Sequence, residues 1–221
     1  MNKKSQCFRE RGYCSIDLCS RIPDLVHGCK DACASIEEQD WTYIIRNSTE
    51  EVDLPYSVPH SRLKHAKADA LKIYHEGGFA FSFRRLVELE GAPVHPAMKL
   101  FDDYLMRDDF LELLSKLSER TIGAMEARYI NRFDQGDFLT THCDPGSNLG
   151  IALNITPQWN PNFGGLTFIL NKTHSSVNDT LTPTYGQLFV FDTSQRKVPH
   201  FVSMVTANPD QTRIALIARY G

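Results

Sequence analysis

The chain has 221 residues, 42% of them hydrophobic, which suits one domain with a sizeable core. Its formal charge of -3 and pI near 6.2, with no basic cluster beyond the Asn-Lys-Lys at the start, exclude the electrostatic footprint of a nucleic-acid binder. A small molecule or a peptide is the expected partner. No run of about 18 apolar residues and no apolar leader segment stand out, so no membrane association and a cytoplasmic location are expected. In that setting the N-x-S/T matches at Asn47, Asn154, Asn171 and Asn178 carry no glycan.

Five of the six cysteines (Cys7, Cys14, Cys19, Cys29, Cys33) fall in the first 33 residues, without a C-x-x-C pair or histidines at zinc-finger spacing. Reduced thiols are expected, and a homodimer using this cysteine-rich start stays open. Ile22, Leu25, Val26, Cys29 and Cys33 have helical spacing, with Pro23 allowed in the first turn. The polar stretch "RNSTEEVDLPYSVPHS" reads as a long loop. From Ser61 to Glu76, Leu63, Ala66, Ala70 and Ile73 or Tyr74 share a face, with Ser61 as N-cap and Gly77-Gly78 as the stop. One long helix or two short ones follow from His95, with stripes at Met98, Phe101, Tyr104 and Leu105 and at Phe110, Leu113, Leu114 and Leu117.

After Ala124 the texture changes to six short apolar or alternating segments separated by turns: "EARYINRF", "NLGIALNIT", "GGLTFIL", "GQLFVFD", "HFVSMVT" and "TRIALIARY". These predict an α+β protein whose core is an antiparallel jelly-roll barrel. The expected organisation is a single domain, 1–221, with a helical N-terminal half (1–123) and a β-core (124–221).

Within the β-core, "LTTHCDPGSNLG" sets His142, Cys143 and Asp144 side by side before a Pro-Gly turn. Residues i and i+2 of a strand point the same way, so His142 and Asp144 can share a metal while Cys143 points away. Alone the pattern is weak: eight histidines and sixteen aspartates give on the order of 0.6 chance H-x-D matches, and a strand end with a polar cap is the plain alternative. His200 supplies a possible third ligand, a lone polar residue at the head of the apolar run "HFVSMV". Arg213 opens the last strand, and a buried guanidinium there needs a carboxylate held by parallel hydrogen bonds, from the protein or from a dicarboxylate cosubstrate.

This order of H-x-D, "LNITPQWNPNFGGLTFIL", "GQLFVFD", "VPHFVSMV" and a final strand opening with arginine resembles the iron(II)/2-oxoglutarate dioxygenases. The resemblance is to their prolyl-hydroxylase-like branch and covers residues 125 to 221. It implies a double-stranded β-helix (jelly-roll, cupin-like) core with the N-terminal helices packed on the major sheet. It also implies Fe(II) on His142, Asp144 and His200, and 2-oxoglutarate, the cosubstrate with O2, on Arg213 through its distal carboxylate. Phe133-Asp134-Gln135-Gly136, Leu153-Asn154, Trp159 and Gly164-Gly165 match further family positions.

The chain departs from the pattern at Phe133 and Ala152, where relatives often carry tyrosines that hydrogen-bond the cosubstrate. Tyr129 and Asn131, on the strand face of Phe133, are candidates to replace them, and Asn148 is a candidate for the other end of the cosubstrate. A carboxylate at Asp144, where related halogenases carry a small residue, implies hydroxylation.

The segment "GGFAFSFRRLVELEG" resembles a stretch in small enzymes of this branch that act on free amino acids such as lysine, with Arg84 or Arg85 on an α-carboxylate. Glu126, Trp159 and His174 are further substrate candidates, each with a plain alternative: solvation for Glu126 and His174, core packing for Trp159. The expected reaction is hydroxylation of an unactivated C-H of a free polar or cationic amino acid, releasing succinate and CO2. Hydroxylation of a prolyl or other residue in a protein, and a non-catalytic jelly-roll binding module, are the alternatives.

Overall fold

A computed structural model of the chain describes residues 3–88 and 90–221; Asn2 of the basic start and Leu89 of the segment 77–91 lie outside the described residues. The chain opens with α1 (Lys3–Arg11), β1 (Tyr13–Asp17) and α2 (Pro23–Ala34). α2 forms where the apolar spacing predicts it, with proline in its first turn and Leu25, Val26, Cys29 and Cys33 buried. All six cysteines are free. Burial pushes the Cys14 and Cys29 thiols up to about 12, so they stay protonated at neutral pH.

The first half is less helical than its sequence suggests. β2 (Trp41–Arg46) and β3 (Glu51–Leu54) form a hairpin, so the expected loop contains a strand. Asn47 turns the hairpin by accepting the backbone N-H groups of Thr49 and Glu50 on its side-chain oxygen. α3 (His60–His75) begins one residue earlier than expected, with Pro59 rather than Ser61 at the capping position and no side-chain cap. Its end is as expected: Gly77 has φ +76° and, with Gly78, donates to the last-turn carbonyls of Tyr74 and Ile73. β4 (Phe81–Leu86) follows. Extended backbone at Arg107 then divides the next helical stretch into α4 (Pro96–Leu105) and α5 (Asp108–Ser118).

The second half holds β5 (Met125–Phe133), β6 (Phe138–His142), β7 (Leu149–Asn154), β8 (Thr167–Leu170), β9 (Val177–Leu181), β10 (Gln187–Asp192), β11 (His200–Val202) and β12 (Arg213–Tyr220). Six of these were expected; β6 and β9 are additional. All pair antiparallel in one curled 12-stranded sheet of order β1-β10-β7-β12-β5-β4-β6-β11-β8-β9, with the β2-β3 hairpin joined through β4. No helix among the described residues is long and apolar enough to cross a membrane.

The period-2 alternation of the long strands decides where the cavity sits. On β12, Leu216, Ala218 and Tyr220 pack into the helix-side core, while Arg213, Ala215, Ile217 and Arg219 face the cavity. β5 sends Ile130 to the helices and Tyr129, Asn131 and Phe133 to the cavity. β10 divides in the same way, with Leu188 and Val190 against Phe189 and Phe191. The amphipathic faces of α2, α4 and α5 cover this first face of the sheet with residues such as Phe101, Leu105, Phe110 and Leu114.

Two buried carboxylates pin the strands around the site. Asp137, fully buried at the start of β6, accepts from Lys67 Nζ of α3 and Ser82 Oγ of β4, both at 2.8 Å, and from the Asp134 N-H at 3.0 Å. At the end of β10, Asp192 accepts from Arg120 Nη2 at 2.5 Å and from Ser194 N and Oγ at 2.8 Å. Burial alone would raise the Asp192 carboxyl, but these donors outweigh it and hold it at about 2.

Asp137→Ala removes the acceptor that joins α3, β4 and β6 and leaves Lys67 and Ser82 without it, so a loss of about 3 kcal/mol is expected in urea denaturation. Asp192→Asn is expected to destabilise the protein at neutral pH. Because the folded carboxyl lies below its ordinary value of 3.8, the wild-type advantage should be full above about pH 4 and vanish as pH falls towards about 2. Denaturation of both proteins across that range checks the sign.

Candidate metal centre and its cavity

β6 and β11 pair with His142 opposite His200, and Asp144 lies two residues beyond the end of β6. This register brings the three side chains together. His142 Nε2 is 3.8 Å and His200 Nε2 3.4 Å from the same Asp144 oxygen, and the three ligand atoms lie within 4.8 Å of one another. His200 is 7% exposed, and the rings of Phe191 and Phe189 stand 5.5 and 6.2 Å from its own.

The ring tautomers follow from the backbone. His142 Nδ1 lies 3.0 Å from the carbonyl of Thr140, and His200 Nδ1 lies 2.9 Å from that of Val198. A carbonyl only accepts, so each Nδ1 carries a proton and each Nε2 is the ring nitrogen that faces Asp144 and would be offered to a metal. Burial, followed by the field of His200, pushes the His142 imidazole down to about 4, so it is neutral at physiological pH. Two imidazole nitrogens and one carboxylate oxygen, crowded together, fit a divalent metal of the iron type.

The triad opens into a cavity of about 300 Å³. Arg213 lines it, 3% exposed, with Nη1 donating to the Gly165 carbonyl at 2.6 Å and Nη2 to Thr167 Oγ1 at 3.1 Å and Asn154 Oδ1 at 3.3 Å. The Phe133 ring lies 5.3 Å from its guanidinium carbon. Its Nε has no acceptor, and no carboxylate among the described residues forms an ion pair with it. Burial pulls this guanidinium down to about 10, still charged at neutral pH. A buried cation held only by neutral acceptors is suited to a carboxylate that arrives from outside.

The other sequence candidates divide. Tyr129, Asn131 and Arg85 line the same cavity. Asn131 Oδ1 accepts from Arg85 Nε at 2.9 Å, and the Tyr129 hydroxyl accepts from Arg219 Nη2 at 2.8 Å. Arg84, one residue from Arg85 on β4, points to the opposite face, where it pairs with Glu38 at 2.6 Å and Asp134 at 2.8 Å. Asn148 lies away from the cavity, its amide donating to the Thr121 carbonyl at 2.8 Å.

Glu126 is exposed and accepts from the Ser147 side chain. Trp159 packs edge-on against Phe163 and donates to the Gly164 carbonyl at 2.9 Å. His174 sits exposed in a tight turn with φ +59°. None of these last five lines the cavity, because strand alternation or loop position turns each of them elsewhere.

Sequence reading missed Arg219, Glu51, Thr167 and the phenylalanines Phe79, Phe81, Phe83, Phe189 and Phe191 in the cavity wall. Arg219 had a usable signal: it lies six residues after Arg213 on one strand, an even spacing that puts both on one face. Glu51 and the phenylalanines of β4 had none, since only the tertiary pairing of β2 to β4 brings them to the site.

Residues 128–218, which include the triad and Arg213, match the family model described as the 2OG-Fe(II) oxygenase superfamily. No curated protein matches the chain. Among solved structures, a 2OG-Fe(II) oxygenase family oxidoreductase from Burkholderia pseudomallei is similar at 16% identity and TM-score 0.61, over 99% of this chain and 89% of that one. A prolyl-4-hydroxylase from Pseudomonas putida is similar at 13% identity and TM-score 0.57, over 99% and 96%. A prolyl hydroxylase from Trichoplax adhaerens, solved with a peptide of hypoxia inducible factor, is similar at 16% identity and TM-score 0.54, over 99% and 90%. At these identities the structural likenesses speak for the fold, while the family match falls on the segment that carries the metal corner and the buried arginine. Residues 128–218 thus place the β-core in the 2OG-Fe(II) oxygenase superfamily, and the protein is a dioxygenase that uses Fe(II), 2-oxoglutarate and O2.

Proposed function

We propose that the protein hydroxylates an unactivated C-H bond of a free amino acid, with His142, Asp144 and His200 holding the iron and Arg213 the distal carboxylate of 2-oxoglutarate. The observation that carries this reading is the pairing, in one small cavity, of a complete set of metal ligands with a buried arginine that lacks a carboxylate partner. When bound, iron(II), 2-oxoglutarate and O2 together supply the oxidising power: one oxygen atom enters the C-H bond and the other enters succinate as CO2 departs.

The chain's own residues bind, orient and exclude water. Thr167, which accepts from Arg213, keeps a hydroxyl proton to offer the same cosubstrate carboxylate. Asn131 uses its carbonyl oxygen on Arg85 and retains an amide to offer the cosubstrate. The Tyr129 hydroxyl is engaged by Arg219, so we assign Tyr129 to the substrate side rather than to 2-oxoglutarate. Phe189 and Phe191 wall the histidines with apolar surface. The carboxylate of Asp144 takes the position that a halogenase would leave to chloride, which favours hydroxylation.

A cavity of about 300 Å³ lies at the lower end of small-molecule sites, and it has to admit both cosubstrate and substrate. That favours a compact free amino acid. The second reading, hydroxylation of a prolyl or other residue in a peptide, draws on the prolyl-hydroxylase names of the Pseudomonas putida and Trichoplax adhaerens structures.

Screening the free amino acids for succinate formation above the uncoupled background separates the two: stimulation by a free amino acid supports the first, and stimulation only by proline-containing peptides supports the second. His200→Ala is expected to lose iron binding and turnover, and full activity in that variant would sink the metal assignment. Arg213→Ala should weaken 2-oxoglutarate by about 30-fold or more, equivalent to about 2 kcal/mol, in calorimetry with the metal bound. An unchanged affinity would remove Arg213 from the cosubstrate site.

A further inference from the structure

The arginines of this chain differ in their partners. Arg84, Arg107, Arg120, Arg128 and Arg132 form ion pairs with carboxylates outside the cavity. Arg85, Arg213 and Arg219 face the cavity, and none of them forms an ion pair with a carboxylate among the described residues. Arg213 has a role in the reading above. Arg219 lies six residues further along the same strand face, about 20 Å away between Cα positions, and stands with Arg85.

These two guanidinium groups share one ring. Their central carbons lie 4.1 Å (Arg85) and 5.4 Å (Arg219) from the centroid of Tyr129. Arg219 Nη1 donates at 2.8 Å to the carbonyl of Pro145, the residue after the ligand Asp144, so the pair borders the metal corner. Of five N-H donors per guanidinium, Arg85 directs only its Nε at a protein acceptor, and Arg219 one from each Nη. The buried Nε of Arg219 has no acceptor at all.

Two cations on one ring also repel: burial works most strongly against the charge on Arg85, Tyr129 supports it, and the field of Arg219 opposes it as the smallest of these influences. Glu51 and Asp53 favour that charge from a distance, but both are exposed and neither pairs with it. An anion reaching both guanidinium groups would use the spare donors and relieve the repulsion.

Much of the remaining wall is apolar, with Phe79, Phe81, Phe83, Leu139, Phe191 and Val202, and among the described residues its carboxylates are the ligand Asp144 and the exposed Glu51. We propose that Arg85 and Arg219 form the subsite for the substrate's carboxylate, with Tyr129 positioning both, and that the remainder of the substrate is apolar rather than cationic. This rests on the amino-acid reading above and narrows it away from lysine: beyond the α-ammonium that every amino acid carries, a second ammonium group would find no carboxylate among the described lining residues besides the ligand Asp144 and the exposed Glu51.

The test is calorimetry under anaerobic conditions on the protein loaded with Fe(II) and 2-oxoglutarate, titrated with apolar amino acids from L-valine to L-phenylalanine, with L-lysine, with L-leucinamide and with 4-methylpentanoate. At least one apolar amino acid is expected to bind about tenfold or more tightly than L-lysine, and L-leucine to bind about tenfold or more tightly than L-leucinamide. Arg219→Gln should lose about tenfold in that apolar affinity while 2-oxoglutarate binding, which reports the folded core, stays within about twofold. Arg219→Lys, which retains the charge, should recover part of the loss.

Lysine binding more tightly than every apolar amino acid, leucinamide binding as well as leucine, or an unchanged apolar affinity in Arg219→Gln would each overturn the subsite. If no amino acid binds but 4-methylpentanoate binds in an Arg219-dependent manner, the subsite stands and the amino-acid reading falls. If none of these ligands binds, both fall.

Discussion

The register of β6 against β11 is the constraint on which the site depends. These are short strands, five and three residues long, yet their pairing sets His142 opposite His200. A slip of one residue would turn one imidazole to the opposite face. The surrounding structure resists that slip. Asp137 ties the start of β6 to α3 and β4, and the Thr140 hydroxyl donates to the carbonyl of Ala80 while accepting its N-H. On the other strand, β8 pairs along all of β11, and just beyond it Gly164 bridges to Val205. Gly164 is required there: its φ is +66°, and a side-chain Cβ would lie 2.0 Å from the Met204 carbonyl oxygen.

Charge is sorted by the same strand alternation. On β4 and β5, Arg84, Arg128 and Arg132 point away from the cavity into networks with Glu38, Glu88, Asp102 and Asp134. Arg85 and, on β12, Arg213 and Arg219 point inward. The outward group has its counter-charges built into the fold, whereas the inward group lies in low-dielectric surroundings where an incoming anion is attracted more strongly than at the surface. Positive charge in the cavity therefore comes chiefly from residues that form no ion pair with a carboxylate among the described residues.

The most legible parts of the sequence were those governed by period-2 alternation and by isolated polar residues in apolar runs. His142 with Asp144, His200 and Arg213 were each conspicuous for that reason, and the structure brings all four to one cavity. Six strands of the second half were equally readable. β9 was not, because "VNDTL" carries too little apolar alternation to stand out, and of β6 only the end at His142 was read, from the H-x-D spacing. β3 hid in a polar, proline-containing stretch and is held by its pairing to β2, which in turn pairs with β4, rather than by local preference. Arg84 and Arg85 were indistinguishable until the register of β4 sent them to opposite faces. Asn148, Trp159 and His174 had the right chemistry for a site, but their placement is set by loops whose course no spacing rule predicts, whereas Glu126, near the start of β5, lies an odd number of residues from Tyr129 and so on the opposite face.

Arg213 is 3% exposed and sits beneath Phe133, whereas Phe79, 46% exposed, stands beside His142. The cavity therefore runs from the buried Arg213 to the exposed Phe79. With the cosubstrate at Arg213 as proposed, a substrate at the Phe79 end would stand between it and solvent. That arrangement would impose a queue: the cosubstrate first, the substrate behind it, and succinate out last.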